Sequence, residues 1–216
     1  MKLLLTSFGW KENKAIGNQF LKLVNKKPSE IKVLSVMTPA KYPRRNVYIK
    51  SLKAIGILEK NVIIFKLDKK ANANTTKYVD VIFVNGGNTF DYLNRIRTTG
   101  FNKLIKNFIK KGGVYVGLSA GSYIVSPTIE AAGWKHADQN KIKLKNLKGL
   151  NLVPFLITAH FEYKWRSVIK NASMITKFPI IAITDKQAIL VIDKSIKIIG
   201  SGAKNTFNMP RDLILL

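Results

Sequence analysis

"GGVYVGLSAGSY" (residues 112–123) runs from a β-rich apolar stretch into Gly117-Leu118-Ser119-Ala120-Gly121. A short continuous run of valine, tyrosine and leucine suits a strand buried on both faces. The Gly-x-Ser-x-Gly pattern that follows suits a strand-to-helix turn so sharp that side chains beside the serine would clash. Glycines flank serines in many ordinary loops, so the weight of this pattern depends on its surroundings. Upstream, "KLLLT" (2–6), "IKVLSV" (31–36), "NVIIF" (61–65) and "VDVIFV" (79–84) are further short apolar runs without strict alternation. Between them, "NKAIGNQFLKLVNK" (13–26) and "FNKLIKNFIKKGG" (101–113) carry apolar residues at helical spacing, and the second ends in Lys and Gly as a helix C-terminus does. Strand and helix alternate, which predicts an α/β fold: a doubly wound, mainly parallel sheet with flanking helices.

The last third is different. "PFLITAH" (154–160), "FPIIAITD" (178–185), "QAILVID" (187–193) and "SIKIIGSG" (195–202) are closely spaced strand candidates, with "DKS" (193–195) as the turn of an antiparallel hairpin near the C-terminus. "KIKLKNLK" (141–148) alternates lysine with apolar residues and is expected to form a half-buried or edge strand. No repeat, low-complexity linker or hinge divides the 216 residues, so one domain spanning 1–216 is expected.

The net charge of +25 raises the question of an anionic partner such as nucleic acid. The cations are 31 lysines against 6 arginines, spread along the whole chain. Arginine is the residue that planar recognition of phosphates and bases favours, so a nucleic-acid-binding module is the weaker alternative. With no cysteine, disulfides, thiolate metal sites and a cysteine nucleophile are excluded together, and neither metal nor cofactor is expected. No apolar run approaches the roughly 18 residues that span a bilayer. "MKLLLTSFGW" reads as a first strand rather than a signal peptide, so a cytoplasmic location without membrane association is expected.

In doubly wound sheets ligands gather beyond the carboxyl ends of the strands. Ser119 follows "VYVGL", Gly86-Gly87 follows "VDVIFV" and opens a helix at Asn88-Thr89, and His160 follows "PFLITA", which is expected to end on the same sheet edge as Ser119. A serine hydroxyl needs a base, and the chain has two histidines. His136 lies in the polar "GWKHADQN", which leaves His160 as the better placed. Gly86-Gly87 could present backbone N–H groups to an oxyanion, together with the N–H of Ala120. A phosphate site there is the poorer reading, because neither a Walker lysine nor G-x-G-x-x-G is present.

"VIFVNGGNTFDYL", "GLSAGSYIVSPTI" and "GLNLVPFLITAHF", in this order and spacing, resemble the peptidase E (aspartyl dipeptidase) and cyanophycinase family of serine peptidases. "MKLLLTSFGW" and "IIAITDKQAILV" are similar too, so the likeness covers nearly the whole chain. The resemblance implies a class I glutamine amidotransferase-like fold, with Ser119 as nucleophile, His160 as base, Gly87 and Ala120 as the oxyanion hole and Asn88 as a supporting neighbour. The family's acid is carried onto Asp185, before the final hairpin. Another version of the family's acid falls about fifteen residues after the serine, where this chain has Trp134, so Glu130, Asp138 and Glu162 stay as alternatives. The family implies a small-peptide substrate, with N-terminal aspartyl dipeptides expected and Arg166 and Lys164 of "HFEYKWR" as the carboxylate-binding cations. A homo-oligomer is compatible with the family.

Overall fold

The computed structural model describes residues 1–39, 45–135 and 138–210. Ten strands occur among them: β1 (Lys2–Thr6), β2 (Val33–Met37), β3 (Val62–Lys66), β4 (Val81–Val84), β5 (Val114–Leu118), β6 (Leu156–Thr158), β7 (Ile180–Ala182), β8 (Gln187–Ile192), β9 (Ser195–Gly200) and β10 (Asn205–Phe207). The helices are α1 (Lys14–Val24), α2 (Arg45–Lys53), α3 (Thr89–Thr98), α4 (Phe101–Lys110), the single turn α5 (Ala120–Tyr123) and α6 (Arg166–Ser173).

Seven strands form one sheet in the order β3-β2-β4-β5-β1-β8-β9. β3 to β1 in that order are all parallel, and β8 and β9 extend the sheet antiparallel. The absence of strict alternation follows from burial on both faces. Leu4, Val81, Phe83, Val114 and Val116 pack into the cluster under α1, while Leu3, Leu5, Ile82, Val84 and Tyr115 pack into the cluster under α3 and α4. Each helix supplies a matching stripe: Ile16, Phe20 and Leu23 on α1, and Phe101, Ile105, Phe108 and Ile109 on α4. α1 starts where the Asn13 side chain accepts the Ala15 N–H (3.0 Å) and stops at Asn25, which takes the left-handed conformation. The β8–β9 hairpin turns through Asp193, whose φ of 52° is one that aspartate tolerates better than most residues. No helix among the described residues is long and apolar enough to cross a membrane.

Two expectations are corrected. "KIKLKNLK" is not a strand: apart from one isolated bridge, Thr128 to Lys148, it joins neither sheet. Asn140 bends the chain by bonding both the N–H (2.8 Å) and the carbonyl (3.0 Å) of Leu144, and Lys143 turns at a φ of 51°. The two residues that reach the core, Leu144 and Leu147, are three apart rather than two, so the lysine alternation does not mark a pleat. Nor does His160 end a strand of the main sheet. β6 belongs to a second sheet of three strands, β10-β7-β6, in which β6 and β7 are parallel and β10 is antiparallel to β7. α5 joins the two sheets, because the buried Tyr123 hydroxyl accepts the Ala159 N–H (3.0 Å) just beyond β6. Burial pushes that phenol up to about 12.

Candidate active site

β5 and β1 end side by side, with Leu118 opposite Thr6, and β4 ends on the other flank of β5. The residues that follow, Ser7, Gly86 and Ser119, therefore meet at one edge. Ser119 sits at φ 50°, ψ −108°, far from the wells that non-glycine residues prefer. The glycines around it are dictated by space. A Cβ at Gly117 would lie 2.5 Å from the Gly121 carbonyl oxygen, and one at Gly121 would lie 2.3 Å from that of Val84. The Ser119 N–H donates to the Thr6 carbonyl (2.9 Å), and the Ser119 carbonyl accepts from Ser122 (2.7 Å) and Tyr123 (3.1 Å), so the serine is pinned between β1 and α5.

The second sheet delivers the partners. β6 and β7 are in register, Thr158 opposite Ala182, and their continuations stay bonded through Phe161 N–H to the Ile183 carbonyl (3.0 Å). His160 and Asp185 thus leave neighbouring strands at the same end. His160 Nε2 lies 3.0 Å from Ser119 Oγ, and its Nδ1 lies 2.7 Å from Asp185 Oδ1. Burial works to raise the Asp185 carboxyl, but hydrogen bonds from His160 and Ser7, with the nearby His160 and Lys135, outweigh it and hold the carboxyl below its ordinary range.

The other carboxylates are placed elsewhere. Glu130 accepts from the Thr176 hydroxyl (2.8 Å), and Glu162 pairs with Lys164 (2.8 Å). Asp138 accepts from both the N–H (2.9 Å) and the hydroxyl of Thr89 at the start of α3; burial raises its carboxyl despite those bonds. His136 lies outside the described residues.

A cavity of about 1150 Å³ opens beside Ser119 and His160. Gly86, Gly87 and Asn88 line it, and a Cβ placed on Gly86 would touch the Ser119 side chain at 3.4 Å. Because the Ser119 N–H is committed to Thr6, Ala120 supplies the next N–H on that side, and at a first helical position it has no intrahelical acceptor. Asn88 caps α3 by accepting the Asp91 N–H (3.1 Å) and ties down the 138–139 segment by donating to the Gln139 carbonyl (2.9 Å).

Arg166 and Lys164 do not line this cavity. Arg166 reaches Asn205 (3.4 Å) and lies over the Phe207 ring, while Lys164 is held by Glu162 and lies over Trp165. Both of the Arg166 partners belong to β10, so the guanidinium lies against the second sheet. The lining instead carries Lys11, Lys14, Lys50 and Lys141, none of which has a carboxylate partner among the described residues. Two residues escaped the sequence reading. Ser7 touches both Asp185 and His160, and its one signal was its place directly after a strand. Lys135, 6% exposed, donates to the carbonyls of Ala159 and His160 (3.1 Å to the latter). Burial lowers its pKa to about 8, against the pull of Asp185, Glu162 and Asp138. Among the described residues no group of three His, Asp or Glu side chains could hold a metal ion.

The family model for peptidase family S51 matches residues 3–199. The chain belongs to peptidase family S51. Members of this family are serine peptidases. An uncharacterized peptidase of Listeria innocua is 32% identical over 152 residues, which span 68% of this chain and 72% of that one. One from Listeria monocytogenes is 34% identical over 113 residues, spanning 52% of this chain and 55%, about half, of the relative. A peptidase E of Nostoc is 36% identical over 95 residues, 44% of this chain and 36% of that one. The 1.5 Å crystal structure of a candidate peptidase E protein from Listeria monocytogenes superposes with a TM-score of 0.71 at 25% identity, covering 93% of this chain and 98% of that one. Trp134 stands fifteen residues after Ser119, and among the described residues the carboxylate that reaches His160 is that of Asp185.

Proposed function

We propose that this S51 chain hydrolyses peptide bonds of small peptides through an acyl-enzyme. Ser119 Oγ attacks the scissile carbonyl carbon while its proton passes to His160 Nε2. Asp185 holds the Nδ1–H tautomer and stabilises the imidazolium that forms. The N–H groups of Gly87 and Ala120 receive the developing oxyanion. Collapse of the tetrahedral species breaks the C–N bond as His160 returns the proton to the leaving amine, and water then repeats the sequence on the ester. The observation that carries this reading is the continuous chain Ser119 Oγ to His160 to Asp185, at 3.0 and 2.7 Å.

The cavity supports a preference for acidic peptides, N-terminal aspartyl dipeptides among them. Its lysines lack carboxylate partners among the described residues, and the one carboxylate of the described lining, Asp138, is engaged with Thr89. The rim cations Lys11 and Lys14 take the role first expected of Arg166 and Lys164. The test is a competition assay over Asp-Leu, Glu-Leu, Ala-Leu and Lys-Leu, with wild type and a Lys11→Met/Lys14→Met double variant. Asp-Leu should be cut fastest, and the double variant should narrow its lead over Ala-Leu by raising KM for the acidic substrate. Equal rates on Asp-Leu and Ala-Leu would discard the acidic preference, and no turnover of any dipeptide would discard the peptidase reading.

A further inference from the structure

Ser7 touches both His160 and Asp185. Its side chain is fully buried. Its Oγ lies 2.5 Å from Asp185 Oδ1, 3.2 Å from His160 Nδ1 and 2.7 Å from the backbone nitrogen of His160. We propose that Ser7 is a positioning residue for the reaction, a clasp that fixes the imidazole of His160 and the carboxylate of Asp185 relative to each other and holds the histidine in its Nδ1–H tautomer. The inference rests on the Ser119–His160–Asp185 reading given above.

The proton inventory dictates its role. A serine hydroxyl has one proton and two lone pairs. The backbone N–H of His160 can only donate, so Ser7 Oγ accepts there. The ionised carboxylate can only accept, so the Ser7 proton goes to Asp185 Oδ1. That leaves one Ser7 lone pair for His160 Nδ1. Both atoms facing Nδ1, Ser7 Oγ and Asp185 Oδ1, are then acceptors, and a bare Nδ1 would meet lone pairs on both sides. The proton must stay on Nδ1, which leaves the Nε2 lone pair for the Ser119 hydroxyl. Asp185 alone does not fix this geometry: its side chain is 45% exposed, the ring beside it is 40% exposed, and Oδ2 has no partner among the described residues. His160 itself turns at a φ of 54°, and the Ser7 bond to its N–H holds that unusual backbone in place. Ser7 can do this because β1 and β5 are paired to their last residues, which sets Ser7 beside Ser119.

The test is Ser7→Ala, read by the ¹⁵N spectrum of histidine-labelled protein at a pH where the imidazole is neutral. The chain has only two histidines, so His160 is assigned by a single His136→Gln control. Wild type should show the Nδ1–H form, and Ser7→Ala a mixture with a clear Nε2–H fraction. With Asp-Leu, kcat should fall about 10- to 100-fold, as for loss of a hydrogen bond to a charged group, while KM changes less than about 2-fold. Should Ser7→Ala fail to fold, Ser7→Cys, similar in size but a weak donor, should show the same changes to a smaller degree. An unchanged tautomer and an unchanged kcat, with only the melting temperature lowered, would reduce Ser7 to a structural serine and overturn the proposal. The tautomer is read without substrate, so a wrong substrate class leaves this result standing.

Discussion

Replacing Asp185 by asparagine should cost much less here than the same change costs when it disturbs the histidine tautomer. In a serine-protease triad that substitution lowers kcat by about 10⁴, because the amide N–H faces the imidazole and forces the wrong tautomer. In this chain both donors, the Ser7 hydroxyl at 2.5 Å and the His160 Nδ1–H at 2.7 Å, converge on the single oxygen Oδ1. An asparagine can present its amide oxygen to both and point its NH₂ where Oδ2 now lies, a position with no partner among the described residues. The tautomer survives, and what is lost is the charge. A hydrogen bond to a charged group is worth about 1.5–3 kcal/mol and a neutral one about 0.5–1.5, so the loss is about 1–1.5 kcal/mol, or roughly 10-fold in rate. The 45% exposure of the carboxylate keeps the figure low by screening. Asp185→Ala removes the acceptor itself and should cost about 10³-fold or more. Steady-state kcat/KM of both variants on one acidic dipeptide decides the matter. An asparagine variant as crippled as the alanine variant would refute the shared-oxygen argument, and an alanine variant within about 3-fold of wild type would remove Asp185 from the mechanism.

Gly121→Ala drives a Cβ to 2.3 Å from the Val84 carbonyl oxygen, so it should abolish soluble folded protein or lower the melting temperature severely, whereas Gly112→Ala, with nothing within 4 Å, carries only the strain of its φ of +89°. Glu130→Gln should keep kcat within about 3-fold, because its partner is Thr176 and not His160. Lys135 has its pKa lowered from 10.5 to about 8 by burial, so the unfolded chain binds more protons between those values. Its contribution to stability is present above about pH 10.5 and lost as pH falls through about 8. Denaturant titrations at pH 7 and pH 9.5 should therefore show wild type gaining on Lys135→Met at the higher pH, and a constant difference would contradict the burial of a charged lysine.

Much of the frame was legible because both-face burial leaves a coarse mark. "VYVGL" and "VIFV" are apolar throughout, and they are the two strands that flank the serine turn. The spacing of Phe101, Ile105 and Phe108 marked α4 equally well. The second sheet was not legible, because β6, β7 and β10 are three residues each and nothing in so short a run tells which sheet it joins. The 141–148 segment misled because lysines are so abundant that alternation arises without a pleat. The same abundance hid Lys135, one buried cation among 31 lysines, while nearness to His160 in the chain points to Arg166, which does not line the cavity. Ser119, His160 and Asp185 each follow a strand, but their approach to hydrogen-bond distance depends on the ends of two different sheets meeting, which no local pattern encodes. Ser7 depends on that meeting too. In "LTSFG" it has no feature of its own, and it gains its role only when β1 lies next to β5 and opposite the ends of β6 and β7.

The central claim is that the Ser119 hydroxyl is a nucleophile activated by His160. A fluorophosphonate probe followed by intact-mass and peptide mapping tests it without any choice of peptide substrate. Wild type should gain one adduct, located on Ser119, while Ser119→Ala gains none and His160→Gln labels far more slowly. Wild type that stays unlabelled, or an adduct that persists in Ser119→Ala, would contradict the account.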